Sequence, residues 1–508
     1  MCGYFLTNST LVDNAAINRI RKYIDFRGPD YQSGIIDFKG WKLYHARLSI
    51  IDPENDNSNQ PFFDESGGVL LFNGEILNYS ELAERYYDED FYSDTALLSR
   101  LIVDERLELS ELDGFFSFAY VDVTGTLKWL VRDQFGVKPL YYHRDLSGAL
   151  TISSEPKPLA LIFNLPVNNE AIEEYRAARS PIFSSSYFDG VESLAPGCCL
   201  INGEYFNLKD ELEFEKSREC DQSDLHCVLK TAIESRLVAD VPVGLCLSMG
   251  VDSNLIYNLA DFDKLYSIGF EGDPDFEYLR KNGPAKLNLI KAEHSQYASD
   301  LDFLLKLRGE PLSVPNEVLL FQLAKKAKAD GVKVLLSGEG ADEFFAGYDR
   351  IFKAFSNLNA FDIDLFIDLY CYEKPAKYSS VYKKFESIFL SIDLEPFEKV
   401  RWFFVKYHMP VLFRRLDFAM MAAGVEGREP LANRHTFNLA KKLAAKTLIG
   451  NKLGKIPLRR LLADLTTENF AYMDKVGFPV DLTKVFPEIS DQTSYDIWFS
   501  KNLEILNK

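Results

Sequence analysis

The sequence is short of what several function classes need. It has seven cysteines in 508 residues, irregularly spaced and without one C-x-x-C pair. Neither a zinc site nor a disulfide framework is therefore expected, and a reducing, cytoplasmic setting fits. Basic residues are in deficit, 57 Lys and Arg against 76 Asp and Glu, for a net charge of −19. Proteins that follow a phosphate backbone need clustered Lys and Arg, so nucleic acid is not an expected partner. No run of 18 apolar residues offers a membrane span. No basic region followed by an apolar run opens the sequence, so no signal peptide is expected. Internal repeats and low-complexity tracts are missing as well. What remains is 47% hydrophobic, enough to build substantial cores in two or three domains of roughly 100–200 residues each.

What is present begins at Cys2, in Met1-Cys2-Gly3-Tyr4-Phe5. Once Met1 is removed, Cys2 carries a thiol and a free α-amine, whose ordinary pKa is roughly 8. A thiolate is a nucleophile and an adjacent base can generate it, so one residue can supply both attack and proton transfer. Position 2 alone does not separate this from an incidental cysteine. Residues 1–205 read as short β-rich segments with two helices, near Asp13–Tyr23 and Asp94–Glu105. Ser93-Asp94-Thr95 supplies good N-cap residues for the second. Asn73-Gly74 and Thr124-Gly125 read as turns between apolar runs. Packed antiparallel sheets flanked by helices are expected. Polar residues recur at the segment ends, and they form the inventory needed to grip a free amino acid. An Arg can fork onto an α-carboxylate, acids can meet an α-ammonium, and an Asn amide with a Gly N–H can hold an oxyanion. Taken singly, each is more often a turn or surface residue.

With Cys2, Arg47, Asn73-Gly74-Glu75, Asp94, Asp133-Gln134-Phe135-Gly136-Val137-Lys138-Pro139 and Ser153-Ser154-Glu155 together, residues 1–160 resemble the glutaminase domain of the asparagine synthetase family, the class II glutamine amidotransferases. The resemblance implies an N-terminal-nucleophile αββα sandwich with Cys2 as nucleophile. It implies Asn73 and Gly74 as the oxyanion hole, and Arg47, Asn73, Gly74, Glu75 and Asp94 as ligands of glutamine. Ala46 departs from the second basic residue that many members carry.

Residues 206–224 are polar and read as a linker, followed by a helix with Leu225, Val228, Leu229, Ala232 and Ile233 at helical spacing. Val243-Gly244-Leu245-Cys246-Leu247 reads as a buried strand running into Ser248-Met249-Gly250-Val251-Asp252-Ser253, with a helix from Asn254. Strand, Gly-containing loop and helix can present backbone N–H groups to a phosphate, although an ordinary βα turn has the same composition. Strands at 264–270 and 332–336 also end in Gly, Ser and acidic residues. That predicts a parallel α/β sheet with ligands at the carboxyl ends of its strands. Asp252 and Asp342 then lie at neighbouring strand ends, as Mg²⁺ prefers when it binds one or two carboxylates and a triphosphate. Aromatics near 344–370, with Met420-Met421, read as core.

This half resembles the same family's ATP-pyrophosphatase domain, most specifically over 337–348. The resemblance implies that Ser248, Gly250, Asp252 and Ser253 cradle pyrophosphate. Leu247 and Ile268 would hold adenosine, and Ser337, Gly338 and Glu339 would lie near the reacting carboxyl group. Asp342, Glu343, Tyr348, Asp417 and Lys475 match further site positions, the last neutralising departing pyrophosphate. Met249 replaces a Gly, and a side chain there threatens to crowd the loop. Ala346 replaces another Gly. Arg428-Glu429-Pro430-Leu431-Ala432-Asn433 lacks its usual terminal acid, Phe418 replaces an Arg, and the stretch after Asp275 drifts. The expected molecule is thus a glutaminase domain over 1–205 and, over 225–508, an α/β parallel-sheet domain with a helical C-terminal part. Its implied substrates are glutamine, ATP with Mg²⁺ and a carboxylate, aspartate by default. A uronic acid sugar is the alternative acceptor, and a glutaminase or regulatory protein with a degenerate second half is the alternative function. The family often forms dimers, so a homodimer is the implied assembly.

Overall fold

The computed structural model describes residues 2–201, 204–207, 222–473 and 480–507. Among these, strands form two antiparallel sheets in the first half and one parallel sheet in the second. The strand Cys2–Thr7 lies inside the first sheet, between Trp41–Arg47 and Leu150–Ser153. Side chains alternate across a strand. Tyr4 and Leu6 accordingly face the second sheet, packing with Val69, Leu71, Ala119 and Leu130, while Phe5 faces helices on the outside with Ile17 and Leu159. On the second sheet, Leu70 and Phe72 turn outward to Leu97, Leu98 and Leu101 of the helix Asp94–Val103. These layers form helix, sheet, sheet, helix, as expected.

Several local expectations are corrected. Asn73-Gly74 is not a turn, because the strand runs unbroken over Val69–Ile76. Gly74 has φ +139°, and a Cβ there would stand 2.0 Å from the Phe115 carbonyl oxygen. The glycine serves close approach of the neighbouring strand rather than chain reversal. The first helix is divided into Asn14–Ile20 and Lys22–Asp25. The helix expected from Asn254 begins earlier, at Val251, because Ser253 Oγ accepts from Ser248 N (3.1 Å) and Asn254 Nδ2 donates to the carbonyls of Ser248 and Gly250 (2.9 and 2.8 Å). Asp252 and Ser253 thereby enter the first helical turn. Most of the expected linker, 208–221, lies outside the described residues.

The parallel sheet is ordered Leu287–Lys291, Lys264–Gly269, Val243–Cys246, Val334–Leu336, Glu426–Arg428. Helices cover both faces. Leu245, Leu265 and Leu336 meet Leu229, Ile233, Leu255 and Ile256 on one side, and Tyr266, Ile268 and Leu335 meet Leu319, Leu323 and Leu416 on the other. Beyond it, Phe352, Phe366, Phe385, Phe389, Phe403 and Phe404 make a buried aromatic cluster, with Phe366 and Phe403 edge to face at 5.0 Å. Met420 and Met421 are buried in packing.

The two halves share a core. Phe135 of the Asp133–Pro139 motif sits 5.5 Å from Phe344 and 5.9 Å from Phe437. Beside it lies a buried ion cluster. Arg27 Nη1 reaches Glu155 Oε1 and Asp417 Oδ2, both at 2.8 Å, and Lys138 Nζ reaches Asp417 Oδ1 at 3.3 Å. Arg414 bonds both oxygens of Glu155. Among the described residues, no helix is long and apolar enough to cross a membrane.

Candidate functional site

Cys2 pairs with Arg47 across adjacent strands, which puts the thiol at the mouth of the first sheet beside the strand bearing Asn73-Gly74-Glu75. It is 6% exposed. Its backbone nitrogen donates to Asn73 Oδ1 at 2.9 Å. That bond fixes the amide, and the buried Asn73 Nδ2 has no hydrogen-bond partner among the described residues. A buried donor without a partner is costly unless something else meets it. Burial pushes the Cys2 thiol up, against the positive chain start, Arg47 and the Leu48 N–H, which pull it down; Glu75 adds to the rise.

Arg47 donates to Asn59 Oδ1 (3.1 Å) and to the carbonyls of Ile51 and Asp52 (2.8 and 3.1 Å), so its guanidinium is held from behind by a loop. Asp94 caps two backbone N–H groups, Ile76 (3.0 Å) and Thr95 (2.7 Å), and its carboxyl is still raised by burial. Glu75 is raised further, by burial and by the charges of Asp94 and Glu426. The structure thus brings Cys2, Arg47, Asn73, Gly74, Glu75 and Asp94 into one small region.

The second site is a cavity of about 400 Å³ over the carboxyl ends of the parallel strands. Leu247, Ser248, Gly250, Asp252, Ser253, Ile268, Ser337, Gly338, Glu339, Asp342 and Tyr348 all line it. A Cβ on Gly338 would meet that of Asp252 at 2.7 Å, so the two strand-end loops touch because position 338 lacks a side chain. Met249 is not among the lining residues, so it does not crowd the cavity. Glu343 lies behind the wall, fully buried, and accepts from the Tyr348 hydroxyl at 2.5 Å. Burial and Asp342 raise its carboxyl.

Asp417 does not reach the cavity; it belongs to the ion cluster between the halves, and its acceptor-side expectation is corrected accordingly. Lys475 lies outside the described residues. Residues that sequence reasoning passed over complete the site. Lys455 Nζ sits between Asp252 Oδ2 (2.6 Å) and Asp342 Oδ1 (2.7 Å). Arg415 pairs with Glu339 at 2.5 Å, and Arg179, stacked on Tyr372, enters from the first half. The Arg414-Arg415 doublet beside Asp417 was the visible signal for one of these. Two carboxylates close enough to share one ammonium are a donor set that also fits a hard divalent cation arriving with a polyphosphate.

Residues 224–497 match the family Asparagine synthase, and residues 1–210 match the Glutamine amidotransferase domain. The chain is 29% identical over 386 residues to Asparagine synthetase (glutamine-hydrolyzing) 1 of Arabidopsis thaliana, covering 70% of this chain and 61% of that protein. It is 31% identical over 355 residues to Asparagine synthetase (glutamine-hydrolyzing) 1 of Bacillus subtilis (strain 168), covering 66% and 56%. The matched region thus spans about three fifths of these relatives' length, 61% and 56%. A solved structure of the allosteric regulatory enzyme of purine biosynthesis overlaps 58% of this chain and 81% of its own at 12% identity, with a TM-score of 0.31, too loose to bear on fold or function. By the match over its second half, the chain belongs to the asparagine synthase family.

Proposed function

We propose that the protein is a glutamine-dependent ligase. It hydrolyses glutamine at Cys2 and delivers the ammonia to a carboxylate activated with ATP. Cys2 Sγ attacks the side-chain amide carbon, and the oxyanion is held by Asn73 Nδ2 and the Gly74 N–H. Ammonia leaves, a thioester remains, and water releases glutamate. The Cys2 amine, tethered to Asn73, carries the proton. In the larger cavity the acceptor carboxylate attacks the α-phosphorus of ATP, giving an acyl-adenylate and pyrophosphate. Ammonia then displaces AMP to form the amide. Activation is required because a carboxylate is a poor electrophile with a poor leaving group. Asp252 and Asp342 would hold Mg²⁺, which supplies charge neutralisation on the phosphates. Ser248, Gly250 and Ser253 take the pyrophosphate, and Leu247 and Ile268 the adenosine. Glu339 lies toward the acceptor, and Lys475 fits as a further cation.

The observation that carries the reading is the free Asn73 Nδ2 donor beside a thiol whose own backbone nitrogen fixes that amide. Removing one oxyanion-hole donor costs about 10²–10³ in kcat. Asn73→Ala is therefore expected to lower glutamate release by that factor while leaving ammonia-supported AMP formation intact.

Aspartate is the default acceptor, giving asparagine. A larger acid, such as a uronic acid sugar, is favoured by one feature. Arg179 and Arg415 line both the main cavity and an adjoining one of about 310 Å³, more room than one small dicarboxylate needs. Incubation with glutamine, MgATP and each acid separates the two. Asparagine with stoichiometric AMP and pyrophosphate supports the default; AMP only with the sugar acid replaces it. No AMP with any acid would leave a glutaminase or regulatory protein.

A further inference from the structure

Glu429 is 4% exposed, and among the described residues neither of its carboxylate oxygens has a hydrogen-bond partner. An ionised carboxylate in that position would be very expensive, and burial raises its carboxyl to about 8, with Asp417, Glu339 and Asp133 adding to the rise and Lys138 opposing it. The side chain is therefore held largely as the neutral acid at neutral pH.

Its place in the fold gives this acid a task. Glu429 follows the edge strand Glu426–Arg428 directly. The Arg428 guanidinium lies 5.6 Å over the ring of Phe115, which pairs with Glu75 across the second sheet. The Arg428 carbonyl accepts from Ser337 N at 2.8 Å, beside the loop bearing Glu339. Glu429 thus follows a residue that touches a strand neighbour of Glu75 on one side and the loop bearing Glu339 on the other. Glu429 lines a cavity of about 40 Å³ with Phe115, Asp133 and Phe135 from the first half and Ala432 from the second. A water-sized molecule needs roughly 10–15 Å³. Ammonia is of that size, while glutamine and ATP are far too large.

We infer that Glu429 is an ammonia-binding way station between the two sites, its carboxylic O–H donating to the ammonia lone pair and its carbonyl oxygen accepting an ammonia N–H. No covalent step is involved, and the desolvated pocket favours the neutral acid–ammonia pair over separated carboxylate and ammonium charges. This inference rests on the proposed transfer of ammonia between the sites.

The test compares wild type with Glu429→Leu and Glu429→Gln. Each turns over [amide-¹⁵N]glutamine with MgATP and L-aspartate, or the acid that supports AMP release, in excess unlabelled ammonium chloride. Leucine is expected to lower the ¹⁵N share of the amide product about fivefold, the scale of one lost hydrogen bond, with glutamate release unchanged. Glutamine keeps a donor and an acceptor and is expected to restore the share. An unchanged share in Glu429→Leu would overturn the inference. A second arm needs no acceptor. The infrared difference between wild type and Glu429→Gln is expected to contain a protonated-carboxyl band at neutral pH that shifts when ammonium chloride is added. Absence of the band, or its indifference to ammonia, overturns the inference. Failure of the parent reading would show separately, as wild type releasing no AMP with any acid.

Discussion

Cys2→Ala is expected to abolish glutamine use and to spare ammonia use. The glutamine-supported rate should fall by on the order of 10⁴ or more, the scale on which nucleophiles act as part of a unit. AMP formation driven by ammonium chloride should stay at the wild-type level. The separation is expected because the thiol and the large cavity are built on different sheets, and that cavity takes no lining from Cys2. Alanine keeps the strand Cys2–Thr7 and its bond to Asn73 Oδ1, since the bonding atom is the backbone nitrogen. Glutamate release and AMP formation, measured side by side, decide the matter. If both vanish in a protein that melts at the wild-type temperature, two independent reaction centres are ruled out.

Asp417→Ala is expected to destabilise the protein by about 3–5 kcal/mol, the cost of stripping one partner from a buried ion pair. Arg27 and Lys138 would be left facing each other's charge with no exposure to water. Burial opposes ionisation of Asp417, but Arg27 and Lys138 outweigh it and hold the carboxyl at about 2. An unfolded aspartate titrates at roughly 3.9. The folded value is the lower one, so the stabilisation is fully present above roughly 4 and is lost as pH falls through about 2. Thermal midpoints of wild type and Asp417→Asn should therefore differ widely at pH 7 and converge toward pH 2. A constant gap across that range would show that the charge on Asp417 does not contribute.

Legibility followed range. Cys2, Asn73-Gly74-Glu75 and the Ser248–Ser253 loop each carry their chemical character in a few consecutive residues, the first two side by side and the third lining the large cavity. What the same tokens say about geometry is weaker. Asn73-Gly74 has turn composition, yet the glycine answers to a neighbouring strand 41 residues away at Phe115. Lys455 stands in Gly454-Lys455-Ile456-Pro457, where nothing local advertises two acids 203 and 113 residues earlier. Asp417 matched a site position in a motif, but its partners come from the other half of the chain. Arg179 enters the large cavity from the first half, which no reading confined to 225–508 could supply.

Lys455 changes what filling the large cavity entails. The acids at the two strand ends already have a resident cation between them. A cation arriving there would take the place of an internal charge rather than meet bare repulsion. The displaced ammonium would stay close by, on a side chain anchored at the start of the helix Ile456–Leu465.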